Sequence, residues 1–108
     1  MCFMEINEFA KINHERSKVN DKNGVFNWEY HLIAMGGECG ELLNKLKKIK
    51  RGDFPVNEEM LAEEVADVIT YAFLLLSELG VDAEKVIMEK FEKVNKRLAN
   101  GGFHVREN

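Results

Sequence analysis

Apolar residues recur at helical spacing along this chain, and clusters of turn residues cut the pattern into four segments. Ile6, Phe9, Ala10 and Ile12 fall on or near one face of a first helix expected over about Ile6 to Val19, which the run Asn20-Asp21-Lys22-Asn23-Gly24 ends. A second helix is expected from Trp28 or Glu29 to about Lys50, with Met35, Leu42, Leu46 and Ile49 as its apolar stripe and Gly52-Asp53-Phe54-Pro55 as its exit. Asn57 reads as an N-cap followed by the first-turn acids Glu58 and Glu59, opening a third helix that Gly80 closes. Asp82 then caps a fourth, Ala83 to Ala99, ended by Asn100-Gly101-Gly102. Strand-like alternation is nearly absent, and the one proline lies between helices. The pattern therefore predicts an all-α fold, a four-helix bundle in a single domain spanning residues 1–108, with an aperiodic tail from Phe103 to Asn108.

The third helix bears on assembly. Leu61, Val65, Val68, Ile69, Ala72, Phe73, Leu75, Leu76 and Leu79 make it apolar on most sides, more than three neighbouring helices of a small monomer would cover. A chain of 108 residues buries only about two thirds of its unfolded surface, so homo-oligomerisation is expected to complete the bundle. The net charge of −4 argues against a nucleic acid polymer or an anionic membrane as partner and leaves room for a small phosphorylated ligand. Cys2 and Cys39 are too few for a disulfide scaffold, which fits reduced thiols in the cytoplasm. The start of the chain lacks a basic n-region, and Asp67 and Glu78 interrupt the apolar run around Leu74, so neither a signal peptide nor a membrane span is expected.

The candidate chemistry lies in two acidic pairs. Glu38 and Glu41, then Glu64 and Asp67, each stand at i and i+3 and project from one side of their helix, whereas Glu63 points about 100° away. Asp67 lies within an apolar run from Val65 to Leu76, where a carboxylate is expected to be paired, protonated or bound to metal. If the second and third helices pack together, four carboxylates converge on a small volume. An all-oxygen set of that kind suits Mg2+, with Mn2+ as substitute. Solvated helix acids are the rival explanation. Gly36, Gly37 and Gly40 each cost a helix about 0.5 to 1 kcal/mol relative to alanine, offset either by a ligand at the level of the acids or by close helix packing.

Lys45 and Lys48, one and two turns past the acids, could neutralise a polyphosphate, and Lys90, Lys93 and Arg97 share a face of the fourth helix. Phe26, Trp28 and Tyr30 precede the acidic helix; Trp28 could stack on a base, or the group could serve packing. His14, His31 and His104 have no sequence partners that suggest catalysis or metal binding. No Glu-x-x-His pair, EF-hand spacing, Gly-rich phosphate loop or nucleophile elbow occurs.

Taken as a set, Gly37-Glu38-Cys39-Gly40-Glu41-Leu42, Leu61 to Tyr71 with Glu63-Glu64 and Asp67, and Lys90-Phe91 with Arg97 resemble the MazG-like family of all-α nucleoside triphosphate pyrophosphohydrolases. The resemblance covers about Trp28 to Leu98. It implies Mg2+-dependent hydrolysis of a (deoxy)nucleoside triphosphate to the monophosphate and pyrophosphate, by in-line attack of a metal-activated water. Glu38, Glu41, Glu64 and Asp67 match the family's metal-binding positions, with Glu38 or Glu41 able to take the proton from the water. Lys90 and Arg97 match a basic pair used near the phosphates. Many members carry an asparagine four residues after that lysine; Val94 stands there in this chain and Asn95 follows. The resemblance further implies a homodimer or a homotetramer of two dimers. The alternative from another class is a non-enzymatic oligomeric helical module with a structural metal site, or none.

Overall fold

The structure, a computed structural model, describes residues 4–101, so Cys2, His104 and the tail from Phe103 lie outside the described residues. It is all-α, with α1 over Ile6–Asn20, α2 over Trp28–Arg51, α3 over Glu58–Glu78 and α4 over Ala83–Ala99. The starts of α2, α3 and α4 each have a local chemical cause. The Asn27, Asn57 and Asp82 side chains accept hydrogen bonds from the backbone N–H groups of Tyr30, Met60 and Lys85 at 2.9, 3.1 and 2.9 Å. Each satisfies a donor that an α-helix leaves open at its start. Asn27, three residues before Tyr30, is a cap that the turn composition alone does not single out. α2 stops at Gly52, whose φ of 84° lets its N–H turn back onto the carbonyls of Lys48 and Ile49. α3 ends slightly earlier than expected, with Leu79 as its cap, and Gly80 at φ 73° follows. Between α1 and α2 the Asp21 carboxylate accepts from the backbone N–H groups of Val25 and Phe26 at 2.9 and 3.1 Å, which holds the turn cluster in shape.

α3 is the centre of the arrangement. α2 runs antiparallel beside it, since Lys45 meets Glu64 while His31, two helical turns before Glu38, meets Tyr71. α1 packs on α3 through an edge-to-face Phe9–Phe73 contact with centroids 5.2 Å apart. Buried Asn13 donates from Nδ2 to the Thr70 carbonyl at 3.0 Å. Glu78 ties the same two helices electrostatically, with Lys18 Nζ at 2.8 Å and His14 Nε2 at 3.1 Å from its Oε1. α4 touches α1 and α3 and nowhere approaches α2. Its first turn is clasped by Asn7, which donates to Asp82 Oδ1 at 3.1 Å and accepts from the Glu84 N–H at 3.0 Å.

The chain by itself is more open than a closed bundle. Among the described residues, the buried apolar side chains are Ala10, Leu74 and Ala83. The radius of gyration is 17.0 Å, against about 13 Å for a compact domain of this length. The accessible surface of 8397 Å² exceeds the roughly 6,100 Å² typical of a monomer of this mass. Large apolar side chains contribute to it: Ile33 and Leu43 on α2, Val65 and Ile69 on α3, and Ile87, Phe91 and Leu98 on α4 all stand exposed. No helix among the described residues is long and apolar enough to cross a membrane.

Burial pushes the Glu78 carboxyl up, but hydrogen bonds and charge from Lys18 and His14 outweigh it and hold the pKa below the ordinary glutamate value. A depressed folded-state pKa contributes stability that is present above the unfolded value and lost as pH falls through the folded one. Glu78→Gln should therefore lower the melting temperature at neutral pH, by a free energy on the order of 1 kcal/mol. The difference between variant and parent should vanish in thermal melts taken well below pH 4. A gap that persists undiminished in acid would show that the contribution is not ionic.

Candidate metal centre

The antiparallel register of α2 and α3 places Glu38 and Glu41 of one helix beside Glu64 of the other. One carboxylate oxygen from each lies within 4.8 Å of the others. Glu38 and Glu64 are half-buried against the helix interface, and Glu41 faces solvent. Desolvation first, then the charges of Glu41, Asp67 and Glu64, raise the Glu38 pKa. Glu64 is shifted the other way, chiefly by its hydrogen bond with Lys45. Only Glu64 Oε1 is used in that ion pair; Oε2 is buried and has no hydrogen-bond partner among the described residues. Three converging carboxylates with an unsatisfied buried oxygen constitute a donor set for a hard cation, and this cluster can hold a metal ion.

The remaining expected site residues are placed unevenly. Asp67 is not shielded by the apolar run around it: its side chain is exposed, one turn beyond Glu64, and it lies outside the three-carboxylate group. The apolar residues of that run occupy other sides of α3, so Asp67 needs no partner within the chain. Its charge still reaches Glu38 and Tyr71. Glu63 is exposed and also outside the group, as its angular position required. Lys45 forms the ion pair with Glu64, while Lys48 is half-buried one turn further along. Lys90 and Asn95 are exposed on α4, and Arg97 is half-buried with Nε sealed and without a partner among the described residues. One chain does not bring these three to the carboxylates, because α4 departs from the C-terminal end of α3, about 20 Å along the axis from Glu64, and never meets α2. Trp28 is exposed at the first position of α2.

Beside the carboxylates lies a cavity of about 280 Å³ between α1, α2 and α3. Asp67 stands in its wall together with Asn13, Arg16, His31 and Tyr71. Its aromatic side is not Trp28 but Phe26 and Tyr30, whose rings stack at 4.6 Å with 22° between their planes. Gly37 and Gly40, on α2 next to the acids, face open space, for a Cβ added at either would meet nothing within 4 Å. Close packing within the chain is therefore not what offsets their cost.

The MazG-like family matches over residues 38–108, a span that contains all four expected acidic ligands. The Gene 37 protein of Mycobacterium phage L5 is 31% identical over 85 residues, covering 75% of this chain and 75% of that protein. No solved structure matches. The chain belongs to the MazG-like family.

Lys45 occupies the carboxylate that a metal would use, so removing its charge should expose the cation dependence of the fold. Lys45→Gln should melt at a lower temperature than the parent without metal and gain more from millimolar Mg2+, through ligand linkage. Equal Mg2+-induced shifts in calorimetry for the two proteins would show that Lys45 and the cation do not compete for Glu64.

Proposed function

We propose that this protein is a Mg2+-dependent nucleoside triphosphate pyrophosphohydrolase of the cytoplasm, cleaving a (deoxy)nucleoside triphosphate to its monophosphate and pyrophosphate. The observation that carries this reading is the convergence of Glu38, Glu41 and Glu64 in a chain of the MazG-like family. Glu38, Glu41 and Glu64 would hold Mg2+, with Mn2+ as a substitute, and Asp67 would complete the set from the adjoining turn. The bound ion would supply charge neutralisation for the polyphosphate and acidify a water.

The residues of the chain have separate tasks in this scheme. Glu38 or Glu41 takes the proton released when water attacks phosphorus. Lys45, once Glu64 is engaged elsewhere, is freed to point its ammonium at the phosphate oxygens, and Lys48 extends that positive edge by one turn. Lys90, Asn95 and Arg97 cannot serve the site of their own chain as it stands. We assign them to the site of a neighbouring copy in a homodimer or homotetramer, brought there when the exposed α4 stripe of Ile87, Phe91 and Leu98 is covered. The Lys45–Glu64 pair, which offsets one of the three carboxylate charges without a metal, favours the second reading, a non-enzymatic oligomeric helical module with a structural metal site or none.

Mg2+-dependent release of pyrophosphate from a panel of nucleoside triphosphates separates the two. Glu41→Gln and Asp67→Asn should each lower kcat on the order of 100-fold or more while the fold persists. Glu63→Gln should stay near the parent. Activity that is unchanged in Asp67→Asn at saturating Mg2+ would remove Asp67 from the ligand set. Phe91→Glu should reduce the sedimenting species to a single chain and lower activity with it. A parent protein that is monomeric at micromolar concentration yet fully active would overturn the assignment of the α4 residues to a neighbouring copy.

A further inference from the structure

His31 is the most enclosed side chain among the described residues, 1% exposed, yet neither of its ring nitrogens has a hydrogen-bond partner there. A buried imidazole ordinarily satisfies at least one nitrogen, and the unmet bond costs the fold. The ring forms part of the wall of the cavity between α1, α2 and α3. It is surrounded by aromatic rings in edge or tilted contact, with Phe26, Tyr30 and Tyr71 centroids 6.1, 5.7 and 6.4 Å away. Apolar packing would be served as well by leucine or phenylalanine, so the polar atoms are what the site retains.

The position of this cavity relative to the carboxylates matches the dimensions of a nucleotide. His31 precedes Glu38 by two helical turns on α2, and Tyr71 follows Glu64 by two turns on α3, which sets the His31 end of the cavity about 10 Å along both helices from the carboxylates, while Asp67 in its wall lies nearer to them. A nucleotide with its phosphates at the carboxylates carries its base at a comparable remove. We propose that the cavity seats the nucleobase, that the Phe26–Tyr30 pair provides the surface it stacks on, and that His31 hydrogen-bonds its edge and thereby sets base preference. This rests on the nucleotide reading above and adds the residue that discriminates among nucleotides. Phe26 belongs to the connection between α1 and α2, so the covering pair is the part of the wall that yields to let the base reach the imidazole. Asn13 is already committed, donating to the Thr70 carbonyl and accepting from Arg16 at 3.1 Å, which fixes the side of the cavity facing His31. Stacking tolerates every base, so discrimination falls to the hydrogen-bonding group.

The test uses unphosphorylated nucleosides and no metal, so that it reads the cavity alone. Side-chain nitrogen NMR of the full chain, titrated with adenosine, guanosine, cytidine and uridine, should show the His31 imidazole resonances moving with at least one nucleoside. That shift should be larger than with the others. His31→Phe should then flatten the ranking of kcat/KM among the four nucleoside triphosphates about tenfold, and His31→Gln should restore part of it. Failure of every nucleoside to move the His31 resonances would overturn the proposal even if hydrolysis is robust. So would an unchanged ranking in a folded His31→Phe. Nucleoside binding at His31 in a protein that hydrolyses no triphosphate would keep the cavity assignment and remove the enzymatic reading.

Discussion

The antiparallel seating of α2 on α3 is the constraint on which the rest depends. It brings two carboxylates of one helix against a third from the other and, at the same register, sets Lys45 beside Glu64 and His31 beside Tyr71. A slip of one residue along either helix would rotate its side chains by about 100° and dissolve all three relationships together. The connection from Gly52 to Asn57 enforces the register from one end: the left-handed glycine ends α2, and the asparagine starts α3 only a few residues later. α1 secures α3 from the other side through Asn13 and Glu78.

Stability in the isolated chain is spread thinly over such polar contacts. With little fully buried apolar surface, the interhelical hydrogen bonds and ion pairs carry an unusual share of the specificity of packing, whereas the large exposed side chains on α2, α3 and α4 remain to be covered. The open faces of Gly37 and Gly40 belong to the same account. Nothing in its own chain approaches the helix where it forgoes these side chains, so packing within the chain does not account for them.

The helices were legible because their ends are written in local chemistry: Asn57 and Asp82 announce themselves by type and by the acids that follow. The cluster was legible because i, i+3 spacing survives any packing of two helices. What the sequence obscured were properties created by distance. Asp67 is embedded in apolar neighbours along the chain but not in space, since a helix disperses a contiguous run over all its sides. His31 carried no local signal, for its burial is produced by aromatic residues from the preceding connection and from α3. The basic residues of α4 share a face as expected, yet their separation from the acids follows from where α4 leaves α3 and from the Asn7 clasp, neither visible in a wheel.

The Lys45–Glu64 pair also amounts to a filter by valence. A tethered ammonium already provides one positive charge at the cluster at no translational entropy, so a monovalent ion arriving from solvent can at best replace like with like and has no advantage. An ion with two charges and a compact oxygen shell gains against both Glu64 and the acids of α2 at once. For any cation that took this cluster, charge would therefore weigh before size, because the ion would have to better an ammonium already in place.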